Sequence, residues 1–182
     1  ASGDYLLFLD GADELEPTTL ERLVGRMSEA GCDMLCFGAG ADSTPAGHST
    51  HLRESGIELD LCARDNQSDP AWCVSSHLFS TPLAQRAFAT MTTERLDGTQ
   101  DIYEMTVLAC KAHVADAVAG IALPHPHAED EAAPALTLKQ FESLCQSHAS
   151  CIDACQSWLS TWDGPSAQTC LHATRQRCAT AL

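Results

Sequence analysis

The first forty residues combine two short apolar segments with one stretch of helical periodicity. Residues 4–10 (DYLLFLD) form an apolar block that is typical of a buried strand. A helix is predicted between Pro17 and Gly31, because proline favours a first helical turn and glycine a helix end. Its apolar face carries Leu20, Leu23, Val24 and Met27. Residues 32–40 (CDMLCFGAG) are predicted to form a second strand, which completes a βαβ unit with parallel strands and a right-handed crossover.

The pattern changes after residue 40. Residues 40–70 are rich in Gly, Ser, Asp, His and Pro, which indicates an irregular insertion with an edge strand at residues 56–61 (GIELDL). The elements predicted beyond it are an apolar strand in residues 71–79, a helix over 82–89, a turn at Asp97-Gly98, a helix over 100–112 and a strand in 113–124. The sequence therefore predicts an α/β fold.

The last third of the chain is predicted to be helical. Residues 125–134 (HPHAEDEAAP) are acidic and flanked by prolines, which indicates a loop. A long helix is predicted over residues 136–162 and a shorter one over 166–182. The long helix has a stripe of residues near helical spacing: Leu138, Phe141, Leu144, Cys145, His148, Cys151, Ile152, Cys155 and Leu159.

The charge of the chain argues against two classes of partner. Acidic residues outnumber basic ones by 25 to 10 among 182 residues, for a formal net charge of −15. Such a chain repels phosphate backbones, so we expect no nucleic-acid partner. It is equally unsuited to an anionic membrane surface. No apolar run approaches the roughly 18–20 residues that span a bilayer, and the absence of a basic leader predicts a cytoplasmic protein. Because the chain starts at Ala1, we expect it to be a fragment, with processing of the N-terminus as the alternative.

Ten cysteines are present, and no two are spaced as CxxC: Cys32, Cys36, Cys62, Cys73, Cys110, Cys145, Cys151, Cys155, Cys170 and Cys178. Reduced, partly buried thiols are favoured, with Cys36 and Cys110 expected inside apolar segments. A disulfide framework and a metal site remain open alternatives.

Acidic residues follow the first predicted strand. Asp10 and Asp13 would lie at the carboxyl end of a parallel strand, where open α/β sheets bind ligands. Clustered carboxylates there suit a divalent cation that neutralises a diphosphate. The alternative is that these acids only complement the dipole of the following helix.

Residues 1–23 (ASGDYLLFLDGADELEPTTLERL) resemble the middle of the bacterial family 2 glycosyltransferases of the GT-A fold. Three further segments resemble that family in the expected order: CDMLCFG, AWCVSSHLFSTPLAQRAF and GTQDIYEMTVLACKAHVADAVAGIALPHPH. The resemblance covers roughly residues 1–127 and lacks the N-terminal nucleotide-binding part. It implies a partial GT-A-type, Rossmann-like mixed sheet with flanking helices. Residues 1–127 would then form the acceptor-side part of the domain, and residues 128–182 a helical extension.

The resemblance also implies roles for individual residues. Asp10 matches the first acid of the family's Asp-x-Asp motif, which holds a Mn²⁺ or Mg²⁺ ion and the donor diphosphate, and Asp13 matches the acid after the motif. Ala12 stands where the second metal-ligating acid is expected, and alanine cannot bind a metal. Asp101 matches the family's catalytic base, with Gln100 in place of the usual Glu. The alternative for Asp101 is an ordinary acid at a helix N-terminus.

Three weaker candidates remain. His125 and His127 suit a metal or phosphates, although an exposed loop is the simpler interpretation. One side of the long helix could bind a metal through Cys145, His148, Cys151 and Cys155. The alternative interpretation is that these residues form an ordinary core stripe. Trp72 and Phe79 could stack on a sugar, and the alternative interpretation is that they pack in the core.

The sequence thus favours part of a glycosyltransferase that moves a sugar from a nucleotide-sugar to a polysaccharide or lipid-linked acceptor. Such a protein would act in the cytoplasm, with peripheral attachment to the inner membrane as an open option. The alternative is a degenerate, non-catalytic module that binds or interacts.

Overall fold

The computed structural model describes residues 2–9, 14–37, 52–53, 73–118, 121, 136–162 and 166–180. Five strands lie in these ranges: β1 (Tyr5–Leu7), β2 (Met34–Cys36), β3 (Leu52–Arg53), β4 (His77–Ser80) and β5 (Val114–Ala117). The same ranges contain five α-helices: α1 (Thr19–Ala30), α2 (Thr81–Phe88), α3 (Gln100–Lys111), α4 (Leu138–Ser160) and α5 (Ala167–Thr180). The predicted α/β class is confirmed.

The five strands form one mixed sheet in the order β1-β4-β2-β5-β3. β4 is antiparallel to both of its neighbours, β1 and β2, whereas β2 is parallel to β5. The register pairs Leu7 with Leu78, and Cys36 with both His77 and Ala117. Consequently β1, β2 and β5 all finish at one end of the sheet, where β4 begins. We call this end the carboxyl end of the sheet.

The expected βαβ unit is present only in part. α1 connects β1 to β2 and the two strands run in the same direction, but β4 lies between them. β4 carries apolar side chains on both faces, since Leu78 is 2% and Phe79 0% exposed. A strand with two apolar faces requires a covered position inside a sheet. The edge strand expected at residues 56–61 lies outside the described residues, and the described strand β3 borders β5 on its outer side.

Helix α1 ends as predicted but buries a different face near its start. Gly31 terminates it in the left-handed conformation, with a φ of 59° that favours glycine. Leu23 and Met27 are buried as expected, whereas Leu20 is 47% exposed. Thr19, 2% exposed, takes the inward position of the first turn. The buried stripe thus follows positions 19, 23 and 27, a spacing of four that excludes Leu20.

Helices α2 and α3 begin where the sequence predicts. Ser80 caps α2 by accepting a hydrogen bond from the backbone N–H of Leu83, and a proline occupies the first turn. Gly98 has a φ of 73° in the turn before α3, a conformation that glycine adopts without a Cβ penalty. Every residue of α3 from Ile102 to Ala109 is buried. α3 is therefore central to the core.

The C-terminal helices pack into the same apolar cluster as the sheet. Cys151, Trp158 and Leu171 share this cluster with Phe79 and Leu108. The predicted boundary between residues 127 and 128 lies outside the described residues and stays a prediction. Within the described part of the chain, no helix has the length and apolar character needed to cross a bilayer.

The predicted stripe on α4 is covered only in its later turns. A capping box formed by Thr137 and Gln140 starts the helix. Leu138 is 73% and Phe141 43% exposed, so the first turns present apolar side chains to solvent. Burial begins at His148, because the shared cluster takes up only the later part of α4.

Nine cysteines fall within the described ranges, and none of them is joined in a disulfide. Cys36 is buried as expected. Cys110 is only half-buried, because it lies next to the last residue of α3, where the cover of the core ends. Cys62 lies outside the described residues.

Asp33 fastens the start of β2 to the start of β5. Its carboxylate accepts hydrogen bonds from the backbone N–H groups of His113, at 3.2 Å, and Val114, at 3.0 Å. Nη2 of Arg86 lies 3.4 Å from the same carboxylate. These bonds satisfy backbone donors at the junction between α3 and β5.

We expect Asp33→Ala to lower the free energy of unfolding by about 1–3 kcal/mol, because two backbone donors lose a charged acceptor. Arg86→Ala is the control: it removes only an exposed ion pair and should cost less than about 1 kcal/mol. Urea unfolding followed by circular dichroism measures both. Equal losses in the two variants would show that the backbone bonds contribute nothing beyond the ion pair.

Candidate functional site

The candidate base Asp101 lies in the first turn of α3. Its Oδ2 accepts a hydrogen bond from the thiol of Cys73 over 3.4 Å. Cys73 precedes β4 and is joined to it by a single 3-10 turn, Val74–Ser76. Since β4 begins at the carboxyl end of the sheet, this contact places Asp101 beside that end.

Strand β1 finishes at the same end, because Leu7 pairs with Leu78 near the start of β4. Asp10 follows Leu7 by three residues, a distance of at most ~11 Å along an extended chain. Asp10, Ala12 and Asp13 themselves lie outside the described residues. Their positions, and their expected part in binding a metal or a diphosphate, stay predictions.

The Cys73 thiol is held between two polar groups. Oγ of Ser75 lies 3.1 Å from the same sulfur that donates to Asp101. Burial raises the pKa of the Cys73 thiol above its ordinary value, and the negative charge of Asp101 raises it further. The thiol therefore stays protonated near neutral pH and can donate to the carboxylate.

His77 lies beside this contact and binds the backbone of Cys73. Its Nδ1 lies 3.0 Å from the carbonyl oxygen of Cys73, a bond in which the ring nitrogen donates. The ring stacks on Phe79 with 5.7 Å between ring centroids, and it is 2% exposed. His77 therefore fixes the backbone of the segment that carries Cys73.

A second carboxyl lies one turn beyond Asp101. Nε2 of Gln100 donates to Oε1 of Glu104 over 2.6 Å. Burial raises the pKa of Glu104, and the charge of Asp101 raises it further. Two acids of unequal environment thus stand at the start of α3, of which Asp101 is the more exposed. Burial therefore favours the neutral form of Glu104 more than an exposed position would.

Sequence reasoning missed Cys73, Ser75 and Glu104. The contact between Cys73 and Asp101 joins residues 28 positions apart, and no local pattern encodes such a contact. Glu104 was detectable, because residues three apart on a helix share a face.

The weaker candidates fare differently. His125, His127 and Trp72 lie outside the described residues, and Phe79 is 0% exposed, so it cannot stack on a sugar. His148, Cys151 and Cys155 are buried in α4 as a core stripe would be. The described ranges contain no group of three His, Cys, Asp or Glu side chains arranged to hold a metal ion.

We expect Asp101→Asn to make the Cys73 thiol react several-fold faster with iodoacetamide at mildly alkaline pH. The substitution removes a negative charge that raises the thiol pKa, so more thiolate is present at a given pH. Peptide mass spectrometry gives the rate for Cys73 alone. The matched control is Asp97→Asn, which removes an exposed carboxylate paired with Arg95. Equal rates in the two variants would contradict the contact.

Comparison with solved structures identifies similar folds in S. aureus TarS, a glycosyltransferase. The structure of TarS residues 1–349 has a TM-score of 0.58 and 14% identity, and the match covers 97% of this chain and 47% of that one. The complex of TarS with UDP has a TM-score of 0.55 and 14% identity, and the match covers 93% of this chain and 44% of that one. The complex of TarS with UDP-GlcNAc has a TM-score of 0.52 and 13% identity, and the match covers 97% of this chain and 49% of that one.

The chain spans about half the length of these TarS structures. No protein-family model matches it, and no curated protein matches its sequence. The comparisons therefore show that the fold of this chain is similar to that of part of TarS.

Proposed function

We propose that this chain is the acceptor-side part of a family 2-like glycosyltransferase with a GT-A-type sheet. It would act within a longer polypeptide, on a nucleotide-sugar donor and a polysaccharide or lipid-linked acceptor. The observation that carries the proposal is the position of Asp101 beside the carboxyl end of the sheet, where its carboxylate contacts Cys73. Ligands of open α/β sheets bind at this end, and the fold similarity to TarS supports the same assignment.

The reaction assigns Asp101 the role of general base. An acceptor hydroxyl would attack the anomeric carbon of the donor sugar, and its proton would pass to the Asp101 carboxylate. The bond between the anomeric carbon and the diphosphate breaks, so the nucleoside diphosphate leaves. Cys73 would orient the carboxylate through its donated hydrogen bond.

The proposed donor is a uridine diphosphate sugar. Solved complexes of TarS contain UDP and UDP-GlcNAc, which makes UDP-GlcNAc the first donor to test. Asp10 and Asp13 would lie near its diphosphate at the end of β1, where their carboxylates repel the phosphates unless a cation lies between them. The proposed division is an acceptor-side part in residues 1–127 and a helical extension in residues 128–182. The proposed location is the cytoplasm, with peripheral attachment to the inner membrane as an open option.

The proposal is tested by nucleotide-sugar consumption in the longer polypeptide. We expect UDP release from UDP-GlcNAc to accelerate when glycan or lipid-linked acceptors are added. A folded protein that consumes no nucleotide-sugar from a broad panel would contradict the proposal. That result would favour a non-catalytic binding or interaction module, the second candidate, which Ala12 supports because it replaces an expected ligand.

Asp10 and Asp13 do not make a complete ligand set for a tight cation site. Alanine at position 12 leaves Asp10 and Asp13 without the expected second ligand between them. We expect the chain alone to bind Mn²⁺ or Mg²⁺ weakly by calorimetry, and Ala12→Asp to strengthen the binding. Tight Mn²⁺ binding by the unmodified chain, abolished by Asp10→Ala, would contradict this expectation.

A further inference from the structure

Five cysteine thiols lie between the three helices α3, α4 and α5; we call them the thiol layer. Cys110 comes from the end of α3, Cys151 and Cys155 from α4, and Cys170 and Cys178 from α5. Sγ of Cys110 lies 4.0 Å from Sγ of Cys170. Sγ of Cys151 donates to the carbonyl oxygen of Thr99 over 3.6 Å. The proposed glycosyl transfer uses none of these groups.

Access separates these thiols into two sets. Cys151, Cys155 and Cys178 are at most 1% exposed, so a dissolved oxidant does not reach their sulfur atoms. Hydrogen bonds with Cys155 and Cys178 lower the pKa of the Cys151 thiol, and the same bonds raise the pKa values of the two partner thiols. Cys110, in contrast, is half-buried at the rim of the layer, and its neighbour Cys170 is 2% exposed.

We propose that Cys110 and Cys170 are a thiol-disulfide modification site that takes a small-molecule disulfide, such as oxidised glutathione, as its oxidant. The two sulfur atoms need to approach by about 2 Å to reach the bonded distance. The half-buried Cys110 would react first and the buried Cys170 would complete the bond. The product would connect α3 covalently to α5.

The exchange balances as two displacements. The Cys110 thiolate attacks one sulfur of oxidised glutathione, which forms a mixed disulfide and releases one glutathione thiolate. The Cys170 thiol loses its proton and attacks the Cys110 sulfur, which forms the protein disulfide and releases the second glutathione. The two protein thiols lose two electrons, oxidised glutathione gains them, and the two protons pass to the released glutathione thiolates.

The test treats the full 182-residue chain with millimolar oxidised glutathione. Non-reducing peptide maps should show the Cys110 peptide linked to the Cys170 peptide, and the intact mass should fall by two hydrogen atoms. The thermal midpoint should rise by roughly 5–10 °C, because the bond closes a long loop. Dithiothreitol should reverse both changes.

Cys110→Ser should abolish the linked peptide and the thermal shift. Cys145→Ser, at another half-buried cysteine on α4, should behave as the unmodified chain. Persistent glutathione on Cys110, a linkage between other cysteines, or no change would each overturn the proposal. If Cys110→Ser does not fold, the peptide map of the unmodified chain decides alone.

Discussion

Replacing Asp101 by asparagine in the proposed longer polypeptide is expected to slow sugar transfer by about 10²–10⁴-fold, the usual contribution of a general base. Asparagine has nearly the same shape as aspartate but cannot take a proton. Donor binding should change little, because the proposal assigns Asp101 to the acceptor hydroxyl and not to the donor. Initial rates of UDP release at saturating donor measure the effect.

The matched control for this rate is Asp97→Asn. Asp97 lies a few residues earlier, is exposed, and pairs with Arg95, so its loss should leave the transfer rate near that of the unmodified protein. A thermal melt confirms that both variants fold. An unchanged rate in Asp101→Asn would remove Asp101 from the reaction, even if nucleotide-sugar turnover itself were observed.

The largest loss of stability is expected from Arg26→Ala. Nη2 of Arg26 lies 2.6 Å from Oδ2 of Asp116, whose side chain is 0% exposed. Removing one partner of a buried pair leaves an uncompensated charge, and such losses reach roughly 3–5 kcal/mol. Because the Arg26 side chain is 31% exposed, water can partly replace it, and we expect about 2–4 kcal/mol. The thermal midpoint should fall by about 5–12 °C.

One further variant separates charge from packing at this pair, and a second variant serves as a control at an exposed ion pair. Arg26→Met keeps most of the alkyl stem, so it should be nearly as destabilised if the charge matters. Arg86→Ala removes an arginine whose side chain is 44% exposed, paired with Asp33, and should cost less than about 1 kcal/mol. Urea unfolding compares all three. A loss in Arg26→Ala no larger than that in Arg86→Ala would show that the buried pair contributes little.

Elements with strong local signals were predictable from the sequence. Gly31 and Gly98 mark positive-φ positions at a helix end and a turn, and Pro82 occupies the first turn of α2. Each signal comes from the geometry of a single residue, which does not depend on the rest of the fold.

Features that depend on distant contacts were not predictable. The insertion of β4 between β1 and β2 follows from which apolar faces cover each other. The exposure of Leu20 and Leu138 likewise depends on which helices lie nearby. The contact of Asp101 with Cys73 is a side-chain pairing across 28 positions. Periodicity reports that a face is apolar but not what covers it.

The measurement that tests the central claim most directly is the distance between the carboxylates of Asp10 and Asp101 in a crystal structure of the chain. The claim is that both acids serve one site at the carboxyl end of the sheet. We predict that both carboxylates face a single cleft there, with Cys73 still donating to Asp101. Carboxylates at opposite ends of the sheet would contradict the glycosyltransferase assignment.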